Sequence, residues 1–127
     1  MLPGMSFSEK VVLITGGANG FGRATGARLA GEGAHVVLAD IEAEAGQEAA
    51  SEIGAEFIHC DVRDPEASVA AVDFAVEKFG GLDVAFLNAG ISTGCGLADT
   101  FDLELYRRAM QINLDGVVFG INAAVPA

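Results

Sequence analysis

Thr15-Gly16-Gly17-Ala18-Asn19-Gly20-Phe21-Gly22 follows directly on the apolar run Val11-Val12-Leu13-Ile14 and leads into a stretch of helix-forming residues. A strand, a glycine turn and a helix in this order can hold the pyrophosphate of a dinucleotide. Gly16 permits a turn tight enough to leave the strand. Gly20 removes the β-carbon where backbone must touch phosphate, and Gly22 lets the helix pack close to the sheet. The helix N-terminus adds unpaired N–H groups and the positive end of its dipole. Asp40 ends the next apolar run, Ala34-His35-Val36-Val37-Leu38-Ala39, at the distance expected of an acid that grips the adenosine ribose. A carboxylate there accepts from both ribose hydroxyls of NAD and repels the 2′-phosphate of NADP. The places where a phosphate-binding cation would stand hold Ala18, Asn19 and Ile41, and Arg23 is the only base near the loop. NAD is the expected cofactor.

The loop spacing is Thr-Gly-x-x-x-Gly-x-Gly. Asp61-Val62 follows the third apolar run, Asn88-Ala89-Gly90 the fourth, and Asn113 stands in Ile112-Asn113-Leu114-Asp115-Gly116. In these four motifs, from Lys10 to its end, the chain resembles the short-chain dehydrogenase/reductase family. The resemblance implies an NAD(H)-dependent oxidoreductase acting on an alcohol/ketone pair, with Asn19, Phe21 and Ile41 among its cofactor contacts. It implies that the Asp61 carboxylate accepts from the adenine amino group while the Val62 backbone meets the ring. From the residues alone, Asp61 could instead cap a turn before Asp64. The small residues Ala89 and Gly90 let backbone approach the cofactor ribose, and Asn88 can tie neighbouring strands through its amide. The family often has a second asparagine where this chain has Leu87. Thr15 is expected to reach across to this segment through its hydroxyl.

Asn113 falls mid-helix, an unfavourable place for asparagine. By resemblance it is the fourth member of a catalytic set, bending the helix and helping to hold a water near a catalytic lysine; the alternative is an incidental polar residue. The other members are a Ser and a Tyr-x-x-x-Lys located after Asn113. This chain has one tyrosine, Tyr106, with Met110 four residues later, and its lysines are Lys10 and Lys78. The pair is therefore not in these residues, which read as the N-terminal, cofactor-binding part of a single Rossmann-type domain and are expected to be inactive alone. Tyr106 is not a catalytic candidate, because neighbours in helix sequence such as Arg107 and Arg108 point to different faces. A non-catalytic dinucleotide-binding module is the alternative. A methyltransferase binding S-adenosylmethionine is disfavoured by Asn88-Ala89-Gly90 and Asn113.

The elements that must position these residues are legible as alternation. Strands are expected near 10–15, 34–39, 55–60 and 83–88, and helices near 20–31, 42–53, 65–79 and 102–124. Continuous Val-, Ile- and Leu-rich strands suit a parallel sheet covered on both faces. Asp64-Pro65-Glu66 reads as an N-cap with proline at the first helical position, and Gly80-Gly81 as a stop. Right-handed crossovers give a doubly wound α/β sheet of order 3-2-1-4, truncated after the fourth strand and the following helix, with a crevice at the strand ends beside Gly16 and Gly90.

Composition sets the bounds. A length of 127 residues suits one domain, and a hydrophobic share of 51% with 20% charged excludes disorder. Eighteen acids against seven bases give a net charge of −11, a field that repels nucleic acid. No apolar stretch reaches the length of a membrane span. The start, Met1-Leu2-Pro3-Gly4-Met5-Ser6, lacks the basic and apolar regions of a secretory signal, so the cytoplasm is expected. Cys60 and Cys95 read as reduced thiols, and no His or Cys cluster has metal-ligand spacing. Small-molecule alcohols or ketones are the expected partners. Leu105, Ala109, Ile112, Gly116, Phe119 and Ala123 recur at three- and four-residue steps, a face expected to need a partner. By resemblance that helix packs against a second subunit, making a homodimer or homotetramer of the full-length protein, and the 127 residues alone are expected to self-associate.

Overall fold

The computed structural model describes residues 6–127; the reading of the start at Met1–Met5 lies outside them. Four parallel strands, β1 (Val11–Thr15), β2 (His35–Asp40), β3 (Glu56–His59) and β4 (Val84–Leu87), lie in the order β3-β2-β1-β4. The alternation of side chains along β1 and β2 sorts the core into two layers. Val12, Ile14, Val36 and Leu38 point to one face, onto α1 (Gly20–Gly31) and α2 (Ala43–Ile53), where Ala49 and Ala50 are fully buried. Val11, Leu13, Val37 and Ala39 point to the other, onto α3 (Pro65–Phe79), through Ala71, Val72 and Ala75. Strands covered on both faces need no polar side, which is why their sequences are continuously apolar. The expected order 3-2-1-4 and doubly wound layering are borne out.

Local signals set the element ends. The Asp64 side chain accepts from Glu66 N at 2.9 Å with Pro65 behind it, and Gly80 closes α3 at φ 87°. Asp102 caps the next helix by accepting from the N–H groups of Glu104 and Leu105 at 3.0 Å each.

The last helix differs from the expectation of one regular element over 102–124. It runs as α4 (Leu103–Met110), a π-helical turn (Gln111–Asp115) and α5 (Gly116–Ala124). Ala109, Gly116 and Gly120 are buried, and Ile112, Ala123 and Ala124 pack against the α3 layer. The face expected to need a partner is therefore mostly the inward one, already covered by the chain's own α3 and β4. A different stripe is exposed: Leu103, Tyr106, Met110, Leu114, Val118, Ile121 and Val125. Gly120 lets the helix lie on β4, since a β-carbon there would sit 2.5 Å from Leu87 Cδ2. Leu87 thus fills a packing role where the family often has asparagine.

Among the described residues no helix is long and apolar enough to cross a membrane. Leu38 has no exposed surface and packs between β2 and the α1–α2 layer. Leu38→Ala should lower unfolding free energy by about 2–5 kcal/mol, the cost of an apolar cavity, as read from the urea midpoint at unchanged slope.

Candidate dinucleotide-binding site

β1 and β4 are neighbours whose following segments leave on opposite faces, so a crevice opens between their carboxyl ends. A cleft of about 510 Å³ occupies it. Its walls bring together Gly16, Asn19, Gly20 and Phe21 of the loop, Asp40 and Ile41 after β2, Asp61 and Val62 after β3, and Asn88, Ala89 and Gly90 after β4. Gly22 stands behind the loop, and Asn113 acts one contact away.

The loop is shaped for an anion. Gly16 and Gly20 have φ of +66° and +54°. At Gly20 a β-carbon would meet no atom within 4 Å, so it would project into the open cleft. The glycine keeps that space clear and also adopts backbone that L-residues avoid, a second requirement beyond the expected close approach to phosphate. Gly22 meets a different constraint: a β-carbon there would collide with the Gly16 carbonyl oxygen. The Asn19 side chain does not cap α1, which leaves the first N–H groups of that helix facing the loop for an anion to accept from.

Asn88 and Thr15 lock β4 to the loop. Asn88 Nδ2 donates to the carbonyls of Thr15 at 3.1 Å and Gly16 at 3.3 Å, and Ala89 N donates to Thr15 Oγ1 at 3.1 Å. The expected strand tie through Asn88 and the reach of Thr15 both appear.

Asp40 is held by backbone. Ala18 N donates to its Oδ2 and Glu42 N to its Oδ1, both at 3.0 Å. Each oxygen keeps a free lone pair toward the cleft. Asp61 makes the local turn, its Oδ1 accepting from Arg63 N at 3.0 Å, and it also lines the cleft. The Arg63 guanidinium bonds it in a fork, with Nη2 to Oδ2 at 2.6 Å, and so holds the Asp61 carboxyl below the usual carboxylate range.

The cations differ from the sequence expectation. Arg23 pairs with Glu52 of α2 and does not line the cleft. Arg63 and Arg108 do line it. Arg63 had a local signal, an arginine two residues after a strand-end acid. Arg108 had none, because only the packing of α4 brings it over the cleft. Cys60, at the end of the third run, is buried beside Asp61, and burial followed by the Asp61 charge pushes its thiol up to about 11.

Asn113 lies in the π turn, and its amide is committed to β4's exit: Oδ1 accepts from Ile91 N at 2.8 Å and Nδ2 donates to Ile91 O at 2.7 Å. Tyr106 is not a cleft residue; its ring lies against Phe101 at 5.8 Å.

The family model described as short chain dehydrogenase matches residues 10–127. The chain belongs to that family. It is 44% identical to trans-4-hydroxycyclohexanecarboxylate dehydrogenase of Sinomonas cyclohexanicum, over 94% of this chain and 50% of that protein. Cyclohexanol dehydrogenase of an Acinetobacter species is 39% identical over 95% of this chain and 50% of its own. Among solved structures, a 3-ketoacyl-(acyl-carrier-protein) reductase from Brucella melitensis complexed with NADH superposes with a TM-score of 0.90 at 34% identity, covering 95% of this chain and 51% of that one. A short-chain dehydrogenase/reductase from Burkholderia phymatum in complex with NAD gives 0.90 at 29% identity, covering 96% and 45%. The chain spans about half the length of the curated relatives it matches.

Two measurements check this geometry. Gly20→Ala should weaken dinucleotide binding at least about tenfold by calorimetry, a loss of about 1.4 kcal/mol, while the protein still melts cooperatively. Cys60, protonated throughout the neutral range, should resist alkylation at pH 8 until the protein unfolds; mass spectrometry showing rapid labelling of the folded protein would contradict the burial assigned to it.

Proposed function

We propose that these residues form the cofactor-binding part of an NAD(H)-dependent oxidoreductase acting on a small alcohol/ketone pair. The observation that carries the preference for NAD is Asp40, fixed by Ala18 N and Glu42 N with no cation bonded to it among the described residues. Its remaining lone pairs suit the 2′- and 3′-hydroxyls of a ribose, and its charge opposes a 2′-phosphate. The relatives named as dehydrogenases of cyclohexane-ring alcohols support the substrate class, and the neighbours complexed with NAD or NADH support the cofactor.

The chain's own residues divide the work of holding the cofactor. The Gly16–Gly22 loop and the start of α1 receive the pyrophosphate, Asp40 and Ile41 the adenosine ribose, Asp61 and Val62 the adenine, and Asn88, Ala89 and Gly90 the second ribose. Phe21, 85% exposed, borders the cleft beside Gly20 and Asn19 and would lose water on contact with the cofactor. When bound, the nicotinamide supplies hydride exchange with a substrate carbon. Asn113 serves as a positioning residue, since its amide fixes Ile91 at the mouth of the cleft and not a substrate atom. The proton-transferring Ser and Tyr-x-x-x-Lys would lie outside residues 1–127. The exposed stripe Met110, Leu114, Val118 and Ile121 on α4 and α5 would be covered by a second copy, in a dimer or tetramer working in the cytoplasm.

In the intact protein, Asp40→Ala should reduce the preference for NAD over NADP at least about tenfold, because a like-charge repulsion worth several kcal/mol is removed. Asp40→Asn keeps an oxygen for one N–H and separates charge from loop support; it should shift the preference in the same direction. An unchanged cofactor ratio in both variants would take Asp40 out of the recognition. Residues 1–127 alone should give no turnover with an alcohol or ketone, since general acid–base assistance of about 10²–10⁴-fold is missing along with substrate positioning.

A further inference from the structure

Arg63 occupies both oxygens of the Asp61 carboxylate. Oδ1 accepts from Arg63 N at 3.0 Å and Nε at 3.0 Å; Oδ2 accepts from Nε at 3.2 Å and Nη2 at 2.6 Å. The Nε hydrogen is shared between the two oxygens, so three N–H donors crowd the carboxylate, two of them from the guanidinium. Both side chains line the cleft, on the wall that also carries Val62 and Ile112. An adenine amino group arriving at Asp61 must compete with these guanidinium donors for an acceptor oxygen. Oδ2 is the oxygen to be contested, because both of its partners come from the guanidinium, whereas the backbone N–H on Oδ1 is fixed by the turn. The guanidinium can leave, since the Arg63 side chain is 41% exposed and water can take over its donors.

We propose that Arg63 is a specificity-determining residue of the adenine subsite: it competes with the purine amino group for Asp61 and so lowers the preference of the cleft for adenine over a purine with an oxo group at the same position. The inference rests on the assignment above of adenine to Asp61. Two effects act in the same direction. The guanidinium blocks the acceptor that an amino group needs, and it is itself the donor that an oxo group needs. A bare carboxylate would do the reverse, accepting from the amino group and repelling the oxo oxygen.

The test titrates NAD and nicotinamide hypoxanthine dinucleotide into the intact protein, Arg63→Ala, Asp61→Ala and the double variant, each checked for cooperative melting. Arg63→Ala should raise the ratio of the two dissociation constants in favour of NAD by about three- to tenfold, the scale of one hydrogen bond. That rise should vanish in the double variant, because the carboxylate that Arg63 masks is gone. Loss of a positive charge from the cleft that weakened both dinucleotides alike would leave the ratio unmoved, and that outcome overturns the proposal. If the ratio stays fixed in Arg63→Ala while Asp61→Ala alone weakens NAD, the competition is refuted and adenine remains at Asp61. If Asp61→Ala leaves both affinities untouched, adenine does not sit there and the subsite assignment falls as well.

Discussion

The cleft exists because β1 and β4 are hydrogen-bonded neighbours whose chains leave the sheet on opposite sides, and the Asn88 amide holds that divergence at a fixed width. Its two hydrogen bonds reach the carbonyls of Thr15 and Gly16, the residues where β1 ends and the turn begins. Part-buried carbonyls at a strand exit need a donor. Asn88 supplies it from the adjacent strand, so the turn is braced from β4 and not from its own helix. The contact of Gly22 with the Gly16 carbonyl closes the same circle from the α1 side. Loop, helix start and β4 exit are thereby tied to one another.

The charge distribution follows a related logic. A chain with a net charge of −11 has little positive side-chain charge to offer an anion, and Arg23, the base nearest the loop, is paired with Glu52. The loop offers N–H groups and a helix dipole in its place. Asp40 depends on the same economy. Its carboxylate is placed by the N–H groups of Ala18 and Glu42. Asp61 is the contrasting case, a carboxylate whose orientation comes from a guanidinium that also competes for it.

Much of this was legible in the sequence because short-range rules govern it. Apolar runs of strand length, a Pro65 after an N-capping Asp64 and a glycine at each turn fixed element positions to within a residue or two, and crossover handedness then left one strand order. The glycine loop, Asp40 and Asn88 could be placed because each sits where a strand ends. The features that escaped depend on tertiary contacts. Arg108 reaches the cleft only through the packing of α4, and Arg23 is drawn away by Glu52 of α2. The apolar face of the last helix was legible, but its cover was not: α3 and β4 of the same chain lie on it through tertiary packing, where a second subunit was expected.

The π turn at Gln111–Asp115 has a physical source in Asn113. A side-chain amide in a helix competes with the backbone for hydrogen-bonding partners, and here the competition is resolved across space. Oδ1 and Nδ2 take the N–H and C=O of Ile91, a residue just beyond β4 that has no ladder partner of its own. The β4 exit gains the pair of bonds a neighbouring strand would have given it, and the helix is held close enough for Gly116 to lie on Val62, where a β-carbon would sit 2.8 Å from Val62 Cγ2. Asn113 thereby links the wall after β4 to the wall after β3. A residue that helix propensity disfavours is the one that sets where α5 runs, and the π turn is the local distortion that lets a single side chain serve both the helix and the sheet.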